Sequence, residues 1–397
     1  MHVAFIGLVS SPLLNTTTPT NGLDDADYAD ATNAVAAFLT KDQTDETVGV
    51  VVYDGTSRED LVRLREDIRD VFLCPEVQLL PLHIAPKLNL VGVPAAVYHR
   101  INAALKSGKR HLILYGPPGT GKTTIAQYIA GALSSSGDYK MLTASSSWTS
   151  QELIGGYQPI GAGEIGFVPG IMLRHFDKPV IIDELNRCPI DRVIGPLFSI
   201  LSDQSTTLPY RTDVRNPDSE FHVILPTPKN NPASFEWCPR HDWRIIATLN
   251  TVDKSQLSQI SYALSRRFAW IRVDVPADQE RFVEEIIVRE QASALRPLIT
   301  QITDMWCTVN SIREIGGAPI IDFIKMVSAM WEEALGETSQ DRSTATLMSA
   351  LSMVILPLLD GISVTEAEQL QTGLNEEWCL DQEMQSLLTD LIMDWVA

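Results

Sequence analysis

The chain has 397 residues, 45% of them apolar, and a formal charge of −19. That length suits two or three domains, and that apolar fraction suits a globular chain with a sizeable core. The acidic balance argues against broad, charge-driven binding to a nucleic-acid backbone.

No apolar run has the length of a membrane span, and the greasiest stretch, around 347–359, is short and carries polar residues. The opening Met1-His2-Val3-Ala4-Phe5 has no basic segment, so no secretory leader is expected. Five cysteines, at 74, 188, 238, 307 and 379, show no metal-ligand spacing. They read as buried free thiols in a reducing compartment, which implies a cytoplasmic location; with no spanning run, no membrane partner is expected. Charge is uneven: from 277 onward there are 21 acidic and 6 basic residues, and no Lys or Arg follows Arg342. The plain reading is a solvated acidic face; a basic protein partner is the other.

In chain order, residues 1–85 read as a small α/β unit. Short apolar, β-branched runs at 3–8 and 48–52 suit buried strands, with a third at 78–80. An Ala-rich helix fits 24–39. A second helix starts at Ser57, with Asp60 placed for a capping box and Leu61, Leu64, Ile68 and Val71 at helical spacing. No catalytic constellation appears in this part.

Residues 86–274 alternate strands and helices, the pattern of a parallel sheet with crossovers. Strands are expected at 111–115, 139–143, 180–183, 244–248 and 269–273, and a helix over 122–130. Six prolines between 209 and 239 mark 203–242 as an insertion, with a hairpin pairing 206–210 and 221–225. Residues 275–397 lose the strand signal. Apolar residues recur at helical spacing over 282–287, 320–331, 344–358 and 384–395, which predicts an all-helical lid whose Met and Trp residues are core.

The strand at 111–115 runs into Gly116-Pro117-Pro118-Gly119-Thr120-Gly121-Lys122-Thr123, a full Walker A pattern, with Thr124 next. Glycines let backbone N–H groups turn inward around phosphates, and the following helix adds its positive end. Lys122 is suited to the β- and γ-phosphates, and the Thr123 hydroxyl to Mg²⁺. About sixty residues on, Val180-Ile181-Ile182 ends in Asp183-Glu184, the Walker B form. Asp183 is expected to hold the Mg²⁺ shell and Glu184 to polarise the attacking water. Asn250 ends the next inner strand, placed for the γ-phosphate or the water (sensor 1), with helix capping as the alternative. Arg266-Arg267 follows Tyr262-Ala263-Leu264-Ser265. The pair reads as an arginine finger for a neighbour's nucleotide, or as surface charge.

Together Ile182-Asp183-Glu184-Leu185-Asn186-Arg187, Leu249-Asn250-Thr251-Val252-Asp253-Lys254-Ser255 and Ala263-Leu264-Ser265-Arg266-Arg267-Phe268 resemble the McrB-related branch of AAA+ ATPases. That branch lies in the helix-2-insert group with MoxR-type relatives. The resemblance covers about 90–275 and implies a P-loop NTPase core on ATP and Mg²⁺, with GTP as the other base choice. It implies that 155–168 is a pore-lining hairpin, that Asn250 and Asp253 belong to a nucleotide-sensing signature, and that Arg266 and Arg267 act in trans. It further implies a homo-oligomeric ring, of hexamer type, driving an effector such as a nuclease in defence; the net charge argues against direct nucleic-acid binding, and the pore is the one place left open for it. A MoxR-like chaperone and a nucleotide-gated scaffold are the competing functions. Val252 and Lys254 replace the family's usual alanine and arginine. Arg313, ahead of Gly316-Gly317, is a candidate second sensor or a lid arginine.

Overall fold

The computed structural model describes residue 84 and residues 90–397, apart from 162, 230, 252–261 and 334–339. The chain divides into two units, 1–83 and 84–397. The strands and helices expected before residue 84 lie outside the described residues, as does Asp253.

Helix α1 (Ala95–Lys106) leads into β1 (His111–Gly116), then α2 (Lys122–Ala132) and β2 (Lys140–Thr143). A hairpin of β3 (Gly155–Gly161) and β4 (Glu164–Pro169) precedes β5 (Val180–Asp183). The insertion holds β6 (Thr206–Arg211), β7 (Phe221–Ile224) and β8 (Glu236–Trp237). Then come β9 (Ile245–Asn250) and β10 (Phe268–Arg272). The main sheet has the order β10-β1-β9-β5-β2, every pair parallel.

Such a sheet needs cover on both faces, which explains its nearly unbroken apolar runs. Alternation along β1 divides the burial. Leu112 and Leu114 pack with Ile101 of α1 and Ile125 and Ile129 of α2. Ile113 points into the second core with Val180, Ile182, Ile245 and Trp243.

The β3–β4 hairpin leaves a single helical turn, Ser150–Leu153, closed by a Thr149–Glu152 capping box. Its tip exposes Ile160 and Ile165. Its base is joined to the insertion sheet by rings. Tyr157 meets Tyr210 at 5.1 Å, and Phe167 lies 5.2 Å from Tyr210 and 4.3 Å from His222. The Arg211 amide donates to the Tyr157 hydroxyl at 2.6 Å. The hairpin expected in the insertion is present as β6 against β7, antiparallel. Strand β8, parallel to β7, was not anticipated. It is two residues long and flanked by Pro232 and Pro239, too short for a pattern of its own.

The C-terminal region is helical: α3 (Gln279–Arg289), α4 (Ile299–Ile312), α5 (Gly317–Glu333), α6 (Gln340–Ala350), α7 (Val364–Trp378) and α8 (Gln382–Met393). Phe282, Ile286, Trp306, Phe323, Leu351 and Leu370 share one core there. The helix expected over 344–358 is not continuous. After α6 the chain passes through a π turn, Leu351–Ile355, and a 3-10 turn, Leu356–Leu359. Pro357 explains the change, because it lacks an N–H and its ring clashes with the preceding turn. No described helix is long and apolar enough to cross a membrane. The described cysteines, at 188, 238, 307 and 379, are free thiols.

The lid meets the core backbone to backbone. The Gly316 amide donates to the Pro118 carbonyl at 2.7 Å, and the Ala318 amide to the Gly119 carbonyl at 2.9 Å. A Cβ on Gly316 would lie 2.3 Å from the Gly119 carbonyl carbon, so only glycine permits this approach. Gly316→Ala should therefore push the lid off the loop at a cost of roughly 1–3 kcal/mol. Thermal unfolding checks the loss, and an unchanged midpoint would contradict the contact.

Candidate active site

All five sheet strands point the same way, so their C-terminal ends form one edge, the usual place for ligands in open α/β sheets. The register pairs Gly116 with Asn250 and Ile182 with Ala247. Gly116, Asp183 and Asn250 thus emerge side by side.

The loop after β1 turns into α2 at Gly121, whose φ of 82° is in the left-handed region. No side chain caps this helix, so its first-turn N–H groups face the loop without a side-chain acceptor. Thr120 is buried and donates to the Pro117 carbonyl at 3.1 Å. The Lys122 ammonium lies within the loop, donating to the carbonyls of Gly116 at 3.0 Å and Pro117 at 2.5 Å.

Thr123 and Asp183, sixty residues apart in sequence, are in contact: the hydroxyl donates to Asp183 Oδ1 at 2.8 Å. The same oxygen accepts from the Thr248 hydroxyl at 2.5 Å. Thr248 in turn accepts the Glu184 amide at 3.0 Å. The sequence reading missed Thr248; a buried threonine in an apolar strand, one strand over from an acidic pair, was the available signal. Glu184 has φ 54° and ψ 45°, a left-handed conformation rare outside glycine and concentrated at functional sites. Its carboxylate pairs with Arg187 at 2.8 Å.

Thr123 and Asp183 offer hard oxygen donors, which suit Mg²⁺ held jointly with substrate phosphates. Among the described residues no group of three or more His, Cys, Asp or Glu could hold a metal unaided. Beyond the loop, a cavity of about 150 Å³ opens between Leu90–Val93, Gly119–Gly121, Thr124 and the lid residues Phe282, Gly317 and Ile321, with Asp274 and Arg289 supplying charge.

The structure separates the two arginines from this edge. Arg266 and Arg267 directly precede β10, and His111 pairs with Phe268, so both stand at the N-terminal edge of the sheet. They differ in surroundings. Arg267 Nε donates to the Phe198 carbonyl at 3.0 Å and to Ser202 Oγ at 2.6 Å. Arg266 is exposed, with its guanidinium 5.9 Å from the Tyr262 ring centre. Arg313 is turned into the lid, where Nη1 donates to the Leu358 and Asp360 carbonyls, the contacts of a lid arginine.

Fold and loop define a P-loop nucleoside triphosphatase core. Residues 111–268 match the family model described as AAA domain (dynein-related subfamily). An AAA domain thus spans β1 to the first residue of β10, consistent with the AAA+ ATPases, and supports nucleotide binding and triphosphatase activity in general. No curated protein matches the chain.

Lys122 makes nucleotide binding sensitive to pH. Burial pushes its pKa from 10.5 down to about 8, opposed by Asp183 and then Glu184. A bound polyphosphate raises it again. Affinity should be flat below this value and fall by up to about tenfold per pH unit above it, because binding must then take up a proton. Calorimetry in two buffers of different ionisation enthalpy reads that proton. Absence of uptake at about one pH unit above the free-state value would rule the linkage out.

Proposed function

We propose that the protein hydrolyses ATP with Mg²⁺ at the interfaces of a homo-oligomeric ring and uses the turnover to drive a protein partner. One observation carries this reading. The loop, Asp183, Glu184 and Asn250 share one edge of the sheet, while Arg266 stands at the other, about 17 Å away along the strand direction. A guanidinium so placed is out of reach of its own subunit's phosphates and suits a neighbour's nucleotide.

The residues then take these roles. The N–H groups of Gly116 to Thr124 and the Lys122 ammonium hold the phosphates. Thr123 and Asp183 hold the Mg²⁺, and Thr248 fixes the Asp183 rotamer. A metal held by Thr123 and Asp183 would supply positive charge against the phosphate oxygens. Glu184, aimed by its left-handed backbone and the Thr248 hydroxyl, polarises the attacking water; its pair with Arg187 must open for that. Asn250 reads the γ-phosphate side, with Asp253 in the same signature. Arg266 of the next subunit stabilises charge on the leaving phosphates. Arg267, bound to its own Phe198 and Ser202, positions the segment carrying Arg266. The apolar cavity beside Thr124 receives the base, ATP being the commoner choice and GTP the rival.

The McrB resemblance favours an effector partner such as a nuclease in antiviral defence. A MoxR-like chaperone is the second reading. It is favoured by the exposed Ile160 and Ile165 at the hairpin tip, which suit a polypeptide better than a phosphate backbone. Recovery of a nuclease with the purified ring would support the first, and recovery of only an adhesion-type or metal-loaded client the second.

Glu184→Gln should keep nucleotide binding and lose turnover by roughly 10²–10⁴-fold. A scaffold reading predicts no such dependence. Arg266→Ala should also be inactive alone. Mixed in equal amounts, the two variants should regain activity, because about a quarter of interfaces then combine an intact Glu184 with an intact Arg266. No recovery on mixing, with assembly preserved, would remove the trans assignment. Thr248→Val should raise the Mg²⁺ concentration needed for half-maximal rate by about 10–100-fold, and an unchanged requirement would free Asp183 from that partner.

A further inference from the structure

The sheet is polar in charge as well as in hydrogen bonding. Each of its five strands is preceded or begun by cations: Arg266 and Arg267 before β10, Lys109 and Arg110 before β1, Arg244 before β9, Lys178 before β5, and Lys140 at the start of β2. Because all five strands are parallel, these side chains share the edge opposite the phosphate loop.

Arg110 and Arg244 make the charge excess plain. Leu112 pairs with Ile246, so the two arginines face each other across adjacent strands, an unfavourable arrangement of like charges. Among the described residues neither forms an ion pair. Arg244 is buried, and its guanidinium donates to the backbone carbonyls of Asp242 and His241 at 3.1 and 3.5 Å. Burial and then Arg110 push its pKa down to about 10, and burial and then both arginines hold the neighbouring His111 neutral, at about 3. The carboxylates nearby are mostly engaged. Asp138 and Asp177 take Lys178, and Asp242 accepts from Ser135; Asp203 acts on Arg110 through space.

The opposite charge lies at the other end. Residues 84–276 carry 20 basic and 15 acidic side chains, whereas 277–397 carry 6 and 21. The lid is docked on the phosphate loop, at the C-terminal edge. A six-residue strand is about 20 Å long, roughly two Debye lengths at physiological salt, so edge and lid do not neutralise each other within one subunit. The lid's last two helices contain no cation, and the exposed Glu383, Leu387 and Asp390 of α8, with Asp394 at its C-cap, recur at helical spacing as one stripe.

Building on the ring reading, we infer that the basic strand-start edge of one subunit receives the acidic α7–α8 face of the next subunit's lid. The contact is head to tail, and such contacts close into rings when the rotation closes. It brings the edge that carries Arg266 to the neighbour's lid, the part of that subunit docked on its phosphate loop. Nucleic acid is the other polyanion such an edge suits, but the net charge of −19 opposes it, and the lid brings its carboxylates one set per subunit.

The full chain with Mg-ATP is measured by sedimentation at low and high salt, with a fluorescent ATP analogue reporting binding separately. Assembly should weaken as salt rises while nucleotide binding persists. The surface variant Glu383→Lys/Asp390→Lys/Asp394→Lys should assemble at least about tenfold more weakly. Arg110→Glu should give opposite signs in two readouts: a higher unfolding temperature, from its new pair with Arg244, and weaker assembly. Rings that form normally in both variants overturn this inference and leave the ring standing. An unmodified chain that binds ATP and never assembles overturns both. Binding of a short DNA duplex that Arg110→Glu abolishes, with assembly unaffected, assigns the edge to nucleic acid and overturns the inference.

Discussion

One carboxylate oxygen, Oδ1 of Asp183, accepts hydrogen bonds from Thr123 on α2 and Thr248 on β9. It joins the helix that follows the phosphate loop to two strands of the sheet. The parallel register brings the three together, since neighbouring strand ends differ by no more than a residue or two along the edge. A slip of one residue in β5 would turn Asp183 to the opposite face of the sheet and send Thr123 elsewhere for its partner. The buried apolar runs that hold the register are therefore as much a part of the site as the polar groups at their ends.

The lid extends that constraint. Gly316 and Ala318 lie on the loop through main-chain hydrogen bonds, and Pro319 packs against Gly119 beside them. The loop is thus one hydrogen-bond length from α5, and α5 reaches the lid core through Phe323 and Ile320. Phe282, which a Cβ on Gly317 would meet at 2.2 Å, ties α3 to the same place.

Much of this was readable in the residues. The strands of the main sheet, the loop, the acidic pair and the helical lid follow from apolar period and from motif spacing, both local properties of the chain. What escaped was non-local. Thr248 matters because of where β9 lies relative to β5, which no pattern within 244–248 records. Arg266 and Arg267 are alike in sequence and differ only because Phe198 and Ser202, about 65 residues earlier, face one of them. Arg313 was open between a second sensor and a lid arginine, and what its position ahead of Gly316 did not record is that the break in the lid helix near Pro357 leaves carbonyls at Leu358 and Asp360 for it to satisfy. The β8 pairing rests on two residues, below the length at which alternation carries information.

The rings at the base of the β3–β4 hairpin have a mechanical consequence. Phe167 touches Tyr210, His222 and Trp237, while Tyr157 meets Tyr210 and accepts the Arg211 amide. Packed aromatic contacts of this kind do not slide continuously, so hairpin and insertion sheet form one stiff arm. A swing of that arm at its root near Gly155 and Gly170 displaces the isoleucine tip and the proline-rich insertion together, by amounts in proportion to their distance from the pivot. A small rotation at that root thus becomes a larger displacement at the tip, as at the end of any stiff lever.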